Sequence, residues 1–311
     1  MILCISPNTN IERTWTVPGL KLGGAFRATA EVSLASGKGI NVARAVQELG
    51  GEPLGMGFVA GLGGQQFAAL AQAEGMRGLW TQVAGEERLA LAMYDPQHAG
   101  DATLVSGPGP QVDEADWLRL EADVLSQAAA ARLACFSGSL PPGSPPAAFA
   151  RLVGRLGDAG VAVWLDVRGA PLHAALQARP AGVKINVLEA EEATGLVVDS
   201  PAAALQAARR LCEMGAGRAL ITLGRGGAVL ASPGSAWRAH PLEQPGFLSS
   251  VGSGDAFMAG WLVGLERGLS EAEALRQAAA AGAANTLSLG GGLFSPAEYQ
   301  AALERAVVAP L

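Results

Sequence analysis

The sequence predicts one α/β domain with a mainly parallel sheet layered between helices. Short apolar runs rich in β-branched residues end in glycine-, serine- or asparagine-bearing turns that open amphipathic helices, and from Leu133 onward strand and helix alternate regularly. The 311 residues are 50% hydrophobic and only 16% charged, which suits one large core and excludes a disordered chain. No apolar stretch is long enough to span a bilayer as a helix.

Composition narrows the function classes. A formal net charge of −6 without a basic run argues against non-specific nucleic-acid binding. Cys4, Cys135 and Cys212 are scattered, odd in number and without a Cys-x-x-Cys pair, so reduced thiols and a cytoplasmic protein are expected. His98, His173 and His240 lack metal-ligand spacing, so no zinc site is expected. Lysine is scarce: Lys21, Lys38 and Lys184 stand against nineteen arginines, which gives weight to Lys38 inside the glycine turn Ser36-Gly37-Lys38-Gly39.

In chain order, residues 1–6 form a buried first strand and not a signal peptide, since no basic lead precedes them. Asn8-Thr9-Asn10-Ile11-Glu12-Arg13-Thr14 follows at the strand end, where α/β sheets bind ligands. Alternating segments at 14–17, 28–32 and 88–94 read as exposed antiparallel strands. Ile40 to about Leu49 is a helix closed by Gly50-Gly51. Gly61-Leu62-Gly63-Gly64 lacks the third glycine of a dinucleotide fingerprint and reads as a strand-to-helix turn before a helix at 65–73. A helix at 113–131 starts at Asp113, with Glu114 and Asp116 in its first turn. A strand at 133–136 leads through Ser137-Gly138-Ser139-Leu140-Pro141-Pro142-Gly143 to a helix at 146–159, and the strand at 161–165 ends at Asp166. Val183-Lys184-Ile185-Asn186-Val187-Leu188-Glu189 has the form of a helix start with Asn186 as cap. The strand at 218–223 is followed by Gly224-Arg225-Gly226-Gly227, a hairpin turn by its local residues. Helices at 270–287 and 296–307 close the chain.

The most informative stretch is Val251-Gly252-Ser253-Gly254-Asp255-Ala256-Phe257-Met258-Ala259-Gly260. Its glycines let backbone N–H groups converge on an anion at a helix start, where the dipole also favours negative charge. Asp255 is then either a helix cap or a base that takes a proton from an attacking hydroxyl.

This stretch resembles the Gly-Ala-Gly-Asp signature of ribokinase-like (PfkB-type) sugar kinases, with Ser253 in the Ala place. Ser36-Gly37-Lys38-Gly39-Ile40-Asn41-Val42-Ala43-Arg44 is similar to the Gly-Gly-Lys-Gly-Ile-Asn-Val-Ala-Arg motif of their 1-phosphofructokinase and tagatose-6-phosphate kinase branch. Further motifs match in the family's order from about Ile5 to about Gly292. The resemblance implies a three-layer α/β/α sandwich spanning 1–311. It also implies a small β lid from about 12–34 and 86–106, which often pairs with a second subunit, so a homodimer is expected.

The implied reaction is ATP-dependent phosphorylation of a ketohexose phosphate: fructose 1-phosphate, fructose 6-phosphate or tagatose 6-phosphate. Asp255 is the implied base, with the amides of Gly252, Ser253 and Gly254 around the phosphoryl group. Glu12, in the place of the branch's Asp, Gly37, Asn41 and Ser137 fall to the sugar. Lys38, Arg88 and Arg27 fall to its phosphate. Lys184, Asn186, Thr222, Gly224, Gly227 and Asn285 fall to ATP with Gly254, and Asn186 with Glu189 organises Mg²⁺ indirectly. Ile185 stands where the family has proline, and Arg168 lies in Asp166-Val167-Arg168-Gly169, where the family continues Asp-Thr-Ser-Gly. Rival readings are a kinase of a free sugar or nucleoside, a non-catalytic sugar-phosphate sensor, and a nicotinamide dehydrogenase, the last weakened by the missing fingerprint.

Overall fold

A computed structural model describes residues 1–97 and 102–311; residues 98–101, which include His98 and part of the second expected lid segment, lie outside the described residues. The first strand, β1 (Ile2–Asn8), is buried along its whole length, as a central strand covered on both faces must be. β2 (Asn10–Thr16) and β3 (Ala30–Ser36) follow, then α1 (Lys38–Glu48), β4 (Pro53–Ala60), α2 (Gly61–Ala73), β5 (Gly78–Val83), β6 (Leu89–Tyr94) and β7 (Thr103–Ser106). The regular half comprises α3 (Glu114–Ser126), β8 (Leu133–Ser137), α4 (Pro146–Asp158), β9 (Ala162–Asp166), α5 (Gly169–Leu176), β10 (Gly182–Asn186), α6 (Val187–Thr194), α7 (Pro201–Glu213) and β11 (Ala219–Thr222). β12 (Ala228–Ser232), β13 (Ser235–Ala239), α8 (Ser253–Glu266), α9 (Glu271–Asn285), α10 (Pro296–Arg305) and β14 (Val308–Pro310) complete the chain.

Among the described residues the main sheet has ten strands in the order β14-β13-β12-β11-β10-β9-β8-β1-β4-β5. From β5 to β11 all neighbours are parallel, and β12, β13 and β14 add antiparallel at one edge. One apolar cluster joins α3 to α7 against one face, and another joins α1, α2, α8, α9 and α10 against the other, giving the expected three layers. The chain leaves β1 toward β4 on one side and returns to β8 on the other. Such a reversal of strand order opens a crevice beyond the strand ends. The second sheet, β3-β2-β6-β7, grows out of β1 through β2 and stands over that crevice.

Several boundaries differ from the sequence reading. Gly61–Gly64 belongs to α2 and not to a preceding turn, because the Glu87 carboxylate accepts the Ala60 N–H (2.8 Å) and so anchors the helix start one turn earlier. α3 stops at Ser126, ahead of a short 3₁₀ turn, and residues 17–29 carry no strand. Gly39 serves packing: a Cβ there would come within 2.5 Å of the Ile5 carbonyl oxygen, so only glycine lets α1 lie this close to β1.

Candidate active site

Asp255 enters the site through its helix. Gly252 is the N-cap of α8 in the left-handed conformation (φ 80°), with no side-chain cap bond. Asp255 therefore does not cap the helix. Its carboxylate, 5% exposed, instead accepts the Asn41 Nδ2–H at 2.8 Å and faces a cleft of about 440 Å³ outside the ends of β1 and β8. Burial raises its pKa from 3.8 to about 6; the Lys38 charge opposes this, Asp166 adds to it, and Lys184 and the Asn41 bond oppose it more weakly. A carboxylate with these properties is ionised at neutral pH yet basic enough to accept a proton from a hydroxyl.

Of the three amides expected to cradle an anion, Ser253 N–H already donates to Ser250 O at 3.0 Å. Those of Gly252 and Gly254 make no such bond among the described residues and remain available. The turn is held from behind by Asn285, whose amide donates to Val251 O (2.8 Å) and accepts from Gly292 N–H (2.7 Å). Asn285 is fully buried, and both ends of its amide are occupied by backbone, so it positions the turn.

Asn41 is oriented by its surroundings. Its Oδ1 accepts from Arg44 (3.2 Å) and faces the Ser36 hydroxyl (3.1 Å), which leaves Nδ2 for Asp255. Arg44 is 4% exposed and also donates to Ala35 O, Gly291 O and Glu74, tying α1 to the root of the small sheet and to the loop under Asp255. Ser36 also lies 3.2 Å from Glu12 Oε2, and its single hydroxyl proton serves one acceptor at a time. Glu12 is 5% exposed and lines the cleft, its pKa raised by burial, and its Oε1 is buried without a protein partner.

The lysines converge on Asp166, which the sequence placed only at the end of a strand. Asp166 is fully buried and takes Lys184 Nζ at 2.5 Å on one oxygen and Lys38 Nζ at 3.0 Å on the other. Burial alone would raise its pKa; Lys184 and then Lys38 overcome that and bring it to about 2. Lys38 is held above its ordinary range, chiefly by Asp166, and also lies 3.7 Å from Glu189 Oε1. Lys184 stands beside the α8 start, since a Cβ on Gly254 would meet its Nζ at 3.0 Å.

Other expected residues divide. Gly37 (φ 120°), Arg88 and Glu189 line the cleft. Asn186 and Glu189 form a reciprocal capping box, each side chain accepting the other's backbone N–H at 3.0 Å. This realises the helix-cap reading and leaves Glu189 Oε1 directed at Lys38. Thr222 lies beside Asn186 in the β10–β11 register, with Gly224 (φ 55°) and Gly227 (φ 91°) shaping the turn beyond it. Ser137 is fully buried without a protein partner and does not reach the cleft; Ser139, two residues on, lines it and accepts from Asn8. Arg27 is exposed in the segment between β2 and β3 and is not among the lining residues. Sequence reading gave no role to Ser36, Arg44 and Ser139, although each lies within one of the quoted motifs.

The arrangement has known counterparts. The model of the pfkB family carbohydrate kinases matches residues 8–298. A 1-phosphofructokinase from Rhodobacter capsulatus is 33% identical, covering 98% of this chain and 96% of that protein. The crystal structure of phosphofructokinase-2 from Escherichia coli with substrates and products superposes with a TM-score of 0.90 at 27% identity, over 97% of this chain and 98% of that one. Arabidopsis thaliana ribokinase shares the fold at a TM-score of 0.78 and 20% identity, over 97% and 98%. With a buried carboxylate at a glycine-turn helix start and two lysines fixed beside it, this chain belongs to the pfkB family of carbohydrate kinases.

Proposed function

We propose that this kinase transfers the γ-phosphoryl group of ATP to a hydroxyl of a ketohexose phosphate, with fructose 1-phosphate the first acceptor to test. The observation that carries the reading is the buried Asp255 carboxylate facing a cleft that also holds cationic side chains for an acceptor's own phosphate. The name of the Rhodobacter relative favours the 1-phosphate within that class. In this reading Asp255 accepts the proton of the attacking hydroxyl, while the Glu12 carboxylate accepts a second sugar hydroxyl. The Gly252 and Gly254 amides and Lys184 stabilise the charge on the phosphoryl group in flight. Asp166 keeps the two ammoniums side by side, one toward the donor and one toward the acceptor.

Mg²⁺ would supply charge neutralisation on the nucleotide phosphates. Among the described residues no group of three metal-binding side chains exists, which fits an ion held mainly by phosphates and water, with Glu189 Oε1 as its protein neighbour. The small sheet would act as a lid that excludes water. Its exposed apolar residues Val32, Leu89, Leu104 and Val105 support pairing with a second copy through that sheet. Three free cysteines support a reducing, cytoplasmic setting, and among the described residues no helix is long and apolar enough to cross a membrane.

An ATP-consumption assay across ketohexose monophosphates, free ketohexoses and nucleosides tests the reading. The expected result is the highest kcat/KM with a ketohexose monophosphate. A preference for a free sugar or nucleoside overturns it.

A further inference from the structure

Among the described residues three cations line the cleft: Lys38, Arg88 and Arg168. Their charges are not equally available. Lys38 is matched by Asp166 at 3.0 Å and Glu189 at 3.7 Å. Among the described residues Arg88 donates only to neutral carbonyls, to Gly107 O at 2.8 Å through Nε and to Asn8 O at 3.4 Å. Arg168 is exposed and makes no ion pair or hydrogen bond among the described residues. It does not cap α5 with its side chain either, although it is that helix's N-cap residue. The cleft also holds four acids, Glu12, Asp166, Glu189 and Asp255, so a phosphate dianion entering it needs a positive charge that no acid already holds.

Register places Arg168 where such a charge is useful. Ser137 and Asp166 are partners on the parallel strands β8 and β9, and the next two residues of each strand lead to Ser139 and Arg168. Both residues line the cleft just beyond those strand ends. Both also line an adjoining hollow of about 320 Å³, which gives the guanidinium room to turn.

We propose that Arg168 is a specificity-determining residue that grips the phosphate already carried by the acceptor, together with Ser139 and Arg88, and so selects phosphorylated over free ketohexoses. This rests on the sugar-phosphate reading above. It gives a role to the arginine that departs from the family's Asp-Thr-Ser-Gly pattern. It also assigns the phosphate to the cations without acidic partners, leaving Lys38 as a group held by Asp166 near the reacting atoms. A guanidinium suits this task because its planar fork bonds two phosphate oxygens at once.

The test uses the full-length protein, its Arg168→Ala and Arg168→Lys variants, and two measurements. Calorimetry gives Kd for fructose 1-phosphate and for inorganic phosphate; steady-state kinetics gives KM for fructose 1-phosphate and for ATP. Arg168→Ala is expected to raise Kd and KM for the sugar phosphate about 10- to 100-fold, the worth of one hydrogen-bonded charge contact, with KM for ATP within about twofold. Arg168→Lys should recover part of the loss, a pattern that misfolding would not give. If the variant binds the sugar phosphate as the parent does, or if KM for ATP rises instead, the proposal falls while the kinase reading stands. If the parent binds fructose 1-phosphate through Arg168 but transfers nothing to it, the acceptor reading falls and the phosphate site stands. If the parent binds neither sugar phosphate nor inorganic phosphate, both fall.

Discussion

Replacing Asp255 by asparagine should make the protein slower and more stable for one reason. The carboxylate is buried beside ionised Asp166, and its pKa is raised from 3.8 to about 6. The folded state therefore holds this proton more tightly than the unfolded chain does. That contribution to stability is fully present below pH 3.8 and is lost as pH rises through about 6. A pKa raised from 3.8 to about 6 corresponds to about 3 kcal/mol lost by pH 8. Asparagine never ionises, and its carbonyl oxygen can still accept the Asn41 N–H, so it avoids this loss. With an unfolding entropy of about 2.1 cal/mol/K per residue, a chain of this length gains about 5 °C in Tm. Thermal unfolding of the ligand-free parent and Asp255→Asn, run from pH 4 to pH 8, should show Tm values that nearly coincide at the acid end, diverge as pH rises toward about 6 and keep a constant difference above it. Turnover, followed as ADP release at pH 8, should fall by about 10²–10⁴. A Tm difference that does not widen between pH 5 and pH 8 would refute the electrostatic account. A variant within about tenfold of the parent's rate would remove Asp255 from its role as base.

Asp166→Asn removes the negative charge that raises the Asp255 pKa, so the acid limb of the kcat/KM profile should move to lower pH while turnover at pH 8 falls about tenfold or more as the two lysines lose their anchor. A limb that stays in place shows that the two carboxylates are not coupled. In Gly252→Ala the new Cβ would sit 2.3 Å from Gly291 Cα on a backbone with φ 80°. Chemical denaturation should show about 1–3 kcal/mol less stability, with turnover reduced more than a hundredfold because the amides beside Asp255 are displaced; unchanged stability and rate would mean that the turn tolerates a side chain.

The elements that carry the site were legible because their signals are local. Asp255 follows two glycines at a helix start, Lys38 sits in a glycine turn that opens α1, and Asn186 and Glu189 have the spacing of a capping box. Ser137 shows where local reading fails: it is the last residue of β8 and stays buried, while Ser139, two residues on and past the strand end, lines the cleft, and a motif match does not say where the strand stops and the crevice begins. Asn285 shows a second role that motif matching does not reveal, since a polar residue near a nucleotide motif can also serve the backbone that shapes it.

The sequence by itself determined the βα alternation, the glycine turns and the identity of the acid at the start of α8, because periodicity, φ freedom and capping act over a few residues. The tertiary structure alone decided which groups meet. Asn41 reaches Asp255 across 214 residues and Lys38 reaches Asp166 across 128 because strand order brings their element ends to one edge. The charges that tune Asp255 act through space in a buried cleft, where proximity, and not chain order, sets their strength.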